Sequence, residues 1–310
     1  MKFSANFKID NFKYFLDCLN CLNKLSKEVY KNSTNILKIT KEKVNFIIKT
    51  NGLLDSYFEI NNNELFIEPV ILNETLTIEI DINSLYDSLN SSIKSENIKV
   101  YIWDEEYLYV KYIDSVYNTI NIILKIPIVV IYNNYVNLPN IPYTNYNINL
   151  SKLQTISFLL NSLNKIGNTI IEFNIRNISI LNENVNSCKL QLSSIGSIVN
   201  VESIFNNLQI FTTKHYQNNT QSQKEVTPNS YNPIDSDSQN ALVKIFLNVN
   251  ILNILLKSII ESNLYNKNRS LIILTIPDDN EDKYIYIIIS MIQLESCQMI
   301  FIVPNIREDE

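Results

Sequence analysis

Four groups of residues in this 310-residue chain could do chemistry by type and spacing. The first is Cys18-x-x-Cys21, half of a zinc or redox motif. Four tetrahedral ligands are needed for structural zinc, and no second cysteine pair lies near. The single histidine, His215, falls in a polar stretch far away. The favoured reading is therefore two reduced cysteines on the apolar flank of a helix, as expected in a reducing, intracellular compartment. The second group is Asp278, Asp279, Glu281 and Asp282, between two strand-like runs. It reads as a solvated hairpin tip, with a metal-binding turn as the alternative. The glycines, Gly52, Gly167 and Gly196, form no phosphate-cradling loop. One histidine also leaves few nucleophile–base pairs to consider. An enzyme has nothing here to rest on, and no cofactor or metal is expected.

The fourth group is the lysines. At ~100° per residue, Lys13, Lys24, Lys27 and Lys31 fall in one stripe of a helical pattern, opposite Phe15, Leu19, Leu22 and Val29. Lys165 repeats the place of Lys24, and Lys94 and Lys257 lie on the polar sides of two further helical patterns. Two readings stand: solubilising lysines, or point charges presented to phosphates without base reading. Net charge is −6, yet its distribution is uneven. Residues 51–80 carry six acidic residues and no Lys or Arg, whereas 11–31 carry four lysines against Asp17 and Glu28. The contrast favours helices facing phosphate.

The elements that position these lysines come in duplicate. Leu19-Asn20-Cys21-Leu22-Asn23-Lys24-Leu25 returns 141 positions later as Leu160-Asn161-Ser162-Leu163-Asn164-Lys165-Ile166. A second pair of helices also matches, Leu85, Leu89 and Ile93 against Leu252, Leu256 and Ile260, at an offset of 167. The difference in offset locates an insertion in the second half, Thr212–Asn240, whose Ser/Thr/Asn/Gln composition reads as a disordered loop. Helices are expected over 11–28, 83–94 (with Asn83 as N-cap), 152–166 and 250–263. Strand patterns fill the remainder: 2–8, 35–40, 44–50, 57–60, 65–71, 75–81, 98–103, 107–113 and 118–126, then 146–150, a run from 169 to 211, 271–276, 284–293 and 299–303. Helices separated by whole groups of strands define an α+β fold, not a doubly wound one. Two domains are expected, 1–131 and 148–310, joined by a Pro-, Asn- and Tyr-rich connector, 132–147. Hydrophobic residues make up 45% of the chain and suffice for two cores. No apolar run reaches the ~18 residues of a membrane helix, and no secretory signal is expected.

Several segments, in this order, carry a resemblance to a known family. They are Met1-Lys2-Phe3-Ser4-Ala5, Leu22–Lys27, Leu37–Ile48, Tyr57-Phe58-Glu59-Ile60 with Leu65-Phe66, Ile78–Leu89, Lys125-Ile126-Pro127-Ile128 and Phe301-Ile302-Val303-Pro304. Together the chain resembles the Hus-one subunit family of the nine-one-one DNA-damage checkpoint clamp, which has the PCNA-like sliding-clamp fold. The resemblance implies a duplicated DNA-clamp fold, two domains each with two helices packed on antiparallel sheets. It implies a non-enzymatic subunit of a heterotrimeric ring, completed by Rad-nine-like and Rad-one-like chains and placed on DNA by an ATP-driven clamp loader. Such a ring sits in the nucleus, encircles double-stranded DNA without sequence preference, and recruits checkpoint signalling and DNA repair proteins. The family's inner helices map onto Lys13, Lys24, Lys27, Lys94, Lys165 and Lys257. Two departures are visible: few basic residues on the third and fourth helices, and an acidic end at Glu308-Asp309-Glu310. A PCNA-like homotrimeric processivity clamp and a protein-only clamp scaffold stay open as alternatives.

Overall fold

The computed structural model describes residues 2–30, 33–50, 52–71, 75–113, 120–132, 146–182, 185–195, 200–211, 243–266, 270–276, 284–292, 294 and 296–306. His215, Lys31, the acidic cluster 278–282, the acidic end, the insertion 212–240 and most of the connector 132–147 lie outside them.

The first half runs β1 (Phe3–Phe7), α1 (Ile9–Glu28), β2 (Thr34–Thr40), β3 (Lys43–Lys49), β4 (Asp55–Asn61), α2 (Asn62–Leu65), β5 (Phe66–Ile71), β6 (Thr75–Ile80), α3 (Ile82–Ser91), β7 (Ile98–Ile102), β8 (Tyr107–Ile113) and β9 (Asn121–Val130). The second runs β10 (Tyr146–Asn149), α4 (Leu153–Lys165), β11 (Ile170–Asn182), β12 (Val185–Ile195), β13 (Asn200–Phe211), β14 (Val243–Asn248), α5 (Val249–Glu261), β15 (Ser270–Ile276), β16 (Tyr284–Met291) and β17 (Gln298–Pro304). The order strand, helix, three strands, later strand, helix, three strands occurs in both, so the duplication read from the leucines is a duplication of architecture. Pairings repeat as well: β2 joins β3 and β6, and β11 joins β12 and β14.

Packing divides the chain into two compact units. One is Met1–Asn140 with Asn253–Ile272 and Ile288–Ile302; the other is Ile141–Leu252 with Ile273–Ile287 and Val303–Glu310. In the first, antiparallel strands follow one another in the order β5-β1-β7-β8-β9-β6-β2-β3-β4-β17. The long strand β9 makes this continuous, pairing with β8 from Asn121 to Pro127 and with β6 from Ile128 to Val130. In the second unit the order is β14-β11-β12-β13-β10-β15.

Helix α1 buries Phe12, Phe15, Leu16, Leu19, Leu22 and Leu25, the side that the 3.6-residue spacing dictates. Its aromatic end meets a ring cluster from the sheet: Phe15 lies 5.8 Å from Phe58 and 6.1 Å from Phe46, and Phe7 lies 4.8 Å from Phe12. Burial of such rings removes a large apolar area from water at this end of the helix. Helix α3 lies beside α1, and the Ser26 hydroxyl donates to Asn83 Oδ1 at 2.9 Å between them. In the second unit, α4 buries Leu153, Ile156, Leu160 and Leu163. It stops at Gly167, whose φ of +83° lets Asn168 N–H reach back to Leu163 C=O at 3.1 Å.

Four expectations are corrected. The N-cap of α3 is Asp81, not Asn83, because the Asp81 carboxylate accepts from Ser84 N–H at 2.9 Å. The same helix ends at Ser91, so Lys94 sits in the following turn and Ile93 is 45% exposed, not inward. A strand over Val243–Asn248 precedes α5 where none is expected; its alternation is short and adjoins the polar insertion. Strand β9 continues through Pro127, because the proline pairs at the point where the strand leaves β8 for β6.

Candidate nucleic-acid interface

Of the six lysines singled out, Lys13, Lys27, Lys94, Lys165 and Lys257 are exposed and Lys24 is half-buried. Lys13, Lys24 and Lys27 project from α1, Lys165 from the last turn of α4, Lys257 from α5, and Lys94 from the turn after α3. Opposite each helical lysine is the apolar side that the sheet fixes, so the sheet sets which way the cations point.

Two of the six are brought together through a residue that sequence reading missed. Lys24 Nζ lies 2.7 Å from Glu261 Oε2, and Lys257 Nζ lies 3.9 Å from Glu261 Oε1. The hydrogen bond from Lys24 holds the Glu261 carboxyl below its ordinary value, with both cations adding to the effect. The (i, i+4) spacing of Lys257 and Glu261 is legible in the sequence. The reach of Lys24 across 237 positions is not. Lys13, Lys27, Lys94 and Lys165 have no carboxylate partner among the described residues. The geometry therefore presents four cations without an ion pair among the described residues, Lys13, Lys27 and Lys165 on helices and Lys94 in the turn after α3.

The cysteines are core residues. Cys18 and Cys21 are buried and unbridged, and burial pushes both thiols upward. The Cys18 thiol also meets that of Cys297. Protonated, buried thiols neither ligate nor attack. Among the described residues no cluster of three His, Cys, Asp or Glu side chains could hold a metal, and no helix is long and apolar enough to cross a membrane.

Solved structures of the same architecture define the class. Proliferating Cellular Nuclear Antigen from Entamoeba histolytica aligns with a TM-score of 0.63 at 12% identity, over 98% of this chain and 99% of that one. The protein of that name from Thermococcus kodakaraensis aligns at 0.61 and 12%, over 98% and 100%. The fold is thus the duplicated, PCNA-like clamp fold expected from the sequence. No curated protein matches the sequence. A family profile, "Hus1-like protein", matches residues 1–291, and the chain belongs to that family. It is a clamp subunit.

Proposed function

We propose that this chain is a non-enzymatic subunit of a heterotrimeric, ring-shaped checkpoint clamp. In this reading the ring encircles double-stranded DNA at damage sites in the nucleus and recruits checkpoint signalling and repair proteins. Its two partners are Rad-nine-like and Rad-one-like clamp chains, and an ATP-driven loader opens and closes it. Domains 1–131 and 148–310, joined by 132–147, are its two repeats. Lys13, Lys24, Lys27, Lys94, Lys165 and Lys257 face the DNA.

One observation carries the reading beyond family membership. Strand β17 pairs with β4 inside the chain, Gln298 opposite Glu59 through Ile302 opposite Asp55. By the internal repeat, β17 corresponds to β9 and β4 to β13. Yet among the described residues β9 pairs only with β8 and β6, and β13 only with β12 and β10. Each chain therefore offers one free edge of each kind, which supports head-to-tail pairing into a closed ring. Exposed Ile123 and Val129 on β9, and Ile204 on β13, suit such edges.

Native mass spectrometry of the complex purified from cells tests it. A one-to-one-to-one assembly with two other clamp-fold chains is expected. A stable homotrimer of this chain would replace the reading with a PCNA-like processivity clamp.

A further inference from the structure

The outward face of β7, β8 and β9 carries a second set of cations, remote in sequence from the helices. Register places them in rows. Lys99 stands directly opposite Lys111, and Lys111 opposite Ile123. In the next row Tyr101 stands opposite Tyr109, and Tyr109 opposite Lys125. Tyr107 follows, opposite Pro127. Lys99, Ile123 and Lys125 are exposed, and Lys111 and the three tyrosines are half-buried. Like charges directly opposite in an antiparallel pair are destabilising. Among the described residues no carboxylate pairs with any of the three lysines. At the adjoining turn Asp104 accepts the Tyr109 hydroxyl at 2.7 Å and Glu105 pairs with Lys2, while the exposed Glu106 forms no ion pair with these lysines among the described residues. In a chain of net charge −6, an uncompensated three-lysine face has a cost that an anionic partner would offset.

The tyrosines indicate which anion. Tyr101 and Tyr109 stack on each other at 4.9 Å with planes 4° apart. Lys125 Nζ sits 5.6 Å from the Tyr109 centroid and 5.7 Å from that of Tyr107. Ring faces that already hold a neighbour are poor platforms for nucleic-acid bases, which need them bare. They instead make a rigid floor beside the ammonium groups. The lysine rows cross three strands, so their spacing suits an extended chain with acidic side chains. We propose that the outward face of β7–β9, through Lys99, Lys111 and Lys125, docks an extended Asp/Glu-rich segment of a partner protein.

The test uses the full chain and a fluorescein-labelled poly-glutamate peptide as probe, with labelled oligo-thymidylate in parallel. Joint change of Lys99→Gln, Lys111→Gln and Lys125→Gln is expected to weaken poly-glutamate binding by about tenfold. Removing the same charge elsewhere on the surface, by Lys41→Gln, Lys152→Gln and Lys189→Gln, all exposed, is expected to leave it nearly unchanged. Lys99→Gln alone relieves the Lys99–Lys111 repulsion and is expected to raise the melting temperature slightly, so a folding defect cannot imitate the result. Equal loss in both triple variants, no poly-glutamate binding by the unaltered chain, or a face variant that loses only oligo-thymidylate would each overturn the proposal.

Discussion

Glu261 is the carboxylate that Lys24 and Lys257 of the candidate interface share. It neutralises one of the two cations it touches, Lys24 at 2.7 Å and Lys257 at 3.9 Å. Glu261→Gln removes that charge and keeps the shape. In the assembled clamp on duplex DNA, the salt slope of binding is expected to steepen by about 0.9 for each lysine released to a phosphate. The triple change Lys24→Ala, Lys27→Ala and Lys165→Ala should make it shallower by up to roughly three units with the ring intact, while changes to Lys41, in the turn between β2 and β3, and Lys43, at the start of β3, should do nothing. An unchanged slope in the triple variant, with assembly preserved, favours the protein-only scaffold. The ion pair also has a pH signature. A carboxyl held below its ordinary value of 4.5 stabilises the fold above that value, and the contribution fades as pH falls through the lowered one. Glu261→Gln lacks this acid-side loss, so the melting temperatures of parent and variant should converge once pH has fallen through the lowered value. Both partners are partly exposed, so the convergence is small.

At the scale of elements, the two copies of the leucine repeat make equivalent structural demands. Leu22 of α1 and Leu163 of α4 occupy cognate positions, and each is 1% exposed. Leu22→Ala and Leu163→Ala are each expected to cost about 2–5 kcal/mol in denaturant unfolding, whereas exposed Asn161→Ala should stay within about 0.5 kcal/mol. A large difference between the leucines would show that the two helices are unequally supported. The copies diverge elsewhere for visible reasons. Leu25 is buried, but its counterpart Ile166 is 41% exposed because α4 turns out at Gly167. Asp81→Ala should loosen the start of α3 by about 1 kcal/mol, through loss of the bond to Ser84 N–H.

At the scale of the whole molecule, the β13 edge should decide whether the chain assembles. Ile204 is 54% exposed, so Ile204→Lys should leave the melting temperature of the lone chain almost unchanged. Placed on an edge that pairs with a neighbouring chain, it should lower ring occupancy in native mass spectra, since a lysine on an edge strand opposes addition of another strand. Undiminished ring assembly by the variant would remove β13 from the proposed interface.

The sequence by itself determined what is local and periodic. Apolar residues at helical spacing placed α1, α3, α4 and α5 to within a few residues, and alternation placed the strands of the first half and β10 and β15–β17, while β11, β12 and β13 were left as one undivided run. The repeat at 19–25 and 160–166 announced the duplication, because helix formation and burial of one face depend on neighbours three and four positions away. Burial of Cys18 and Cys21 followed from the same periodicity. Tertiary structure decided what joins distant positions. No spacing rule links Lys24 to Glu261, β17 to β4, or Lys99 to Lys111 and Lys125. These meetings depend on strand register and on which sheet edge each strand finds, quantities fixed only when the whole core packs. The short strand β14 went unread for the same reason: its six residues are held by β11, and little in their own pattern declares them.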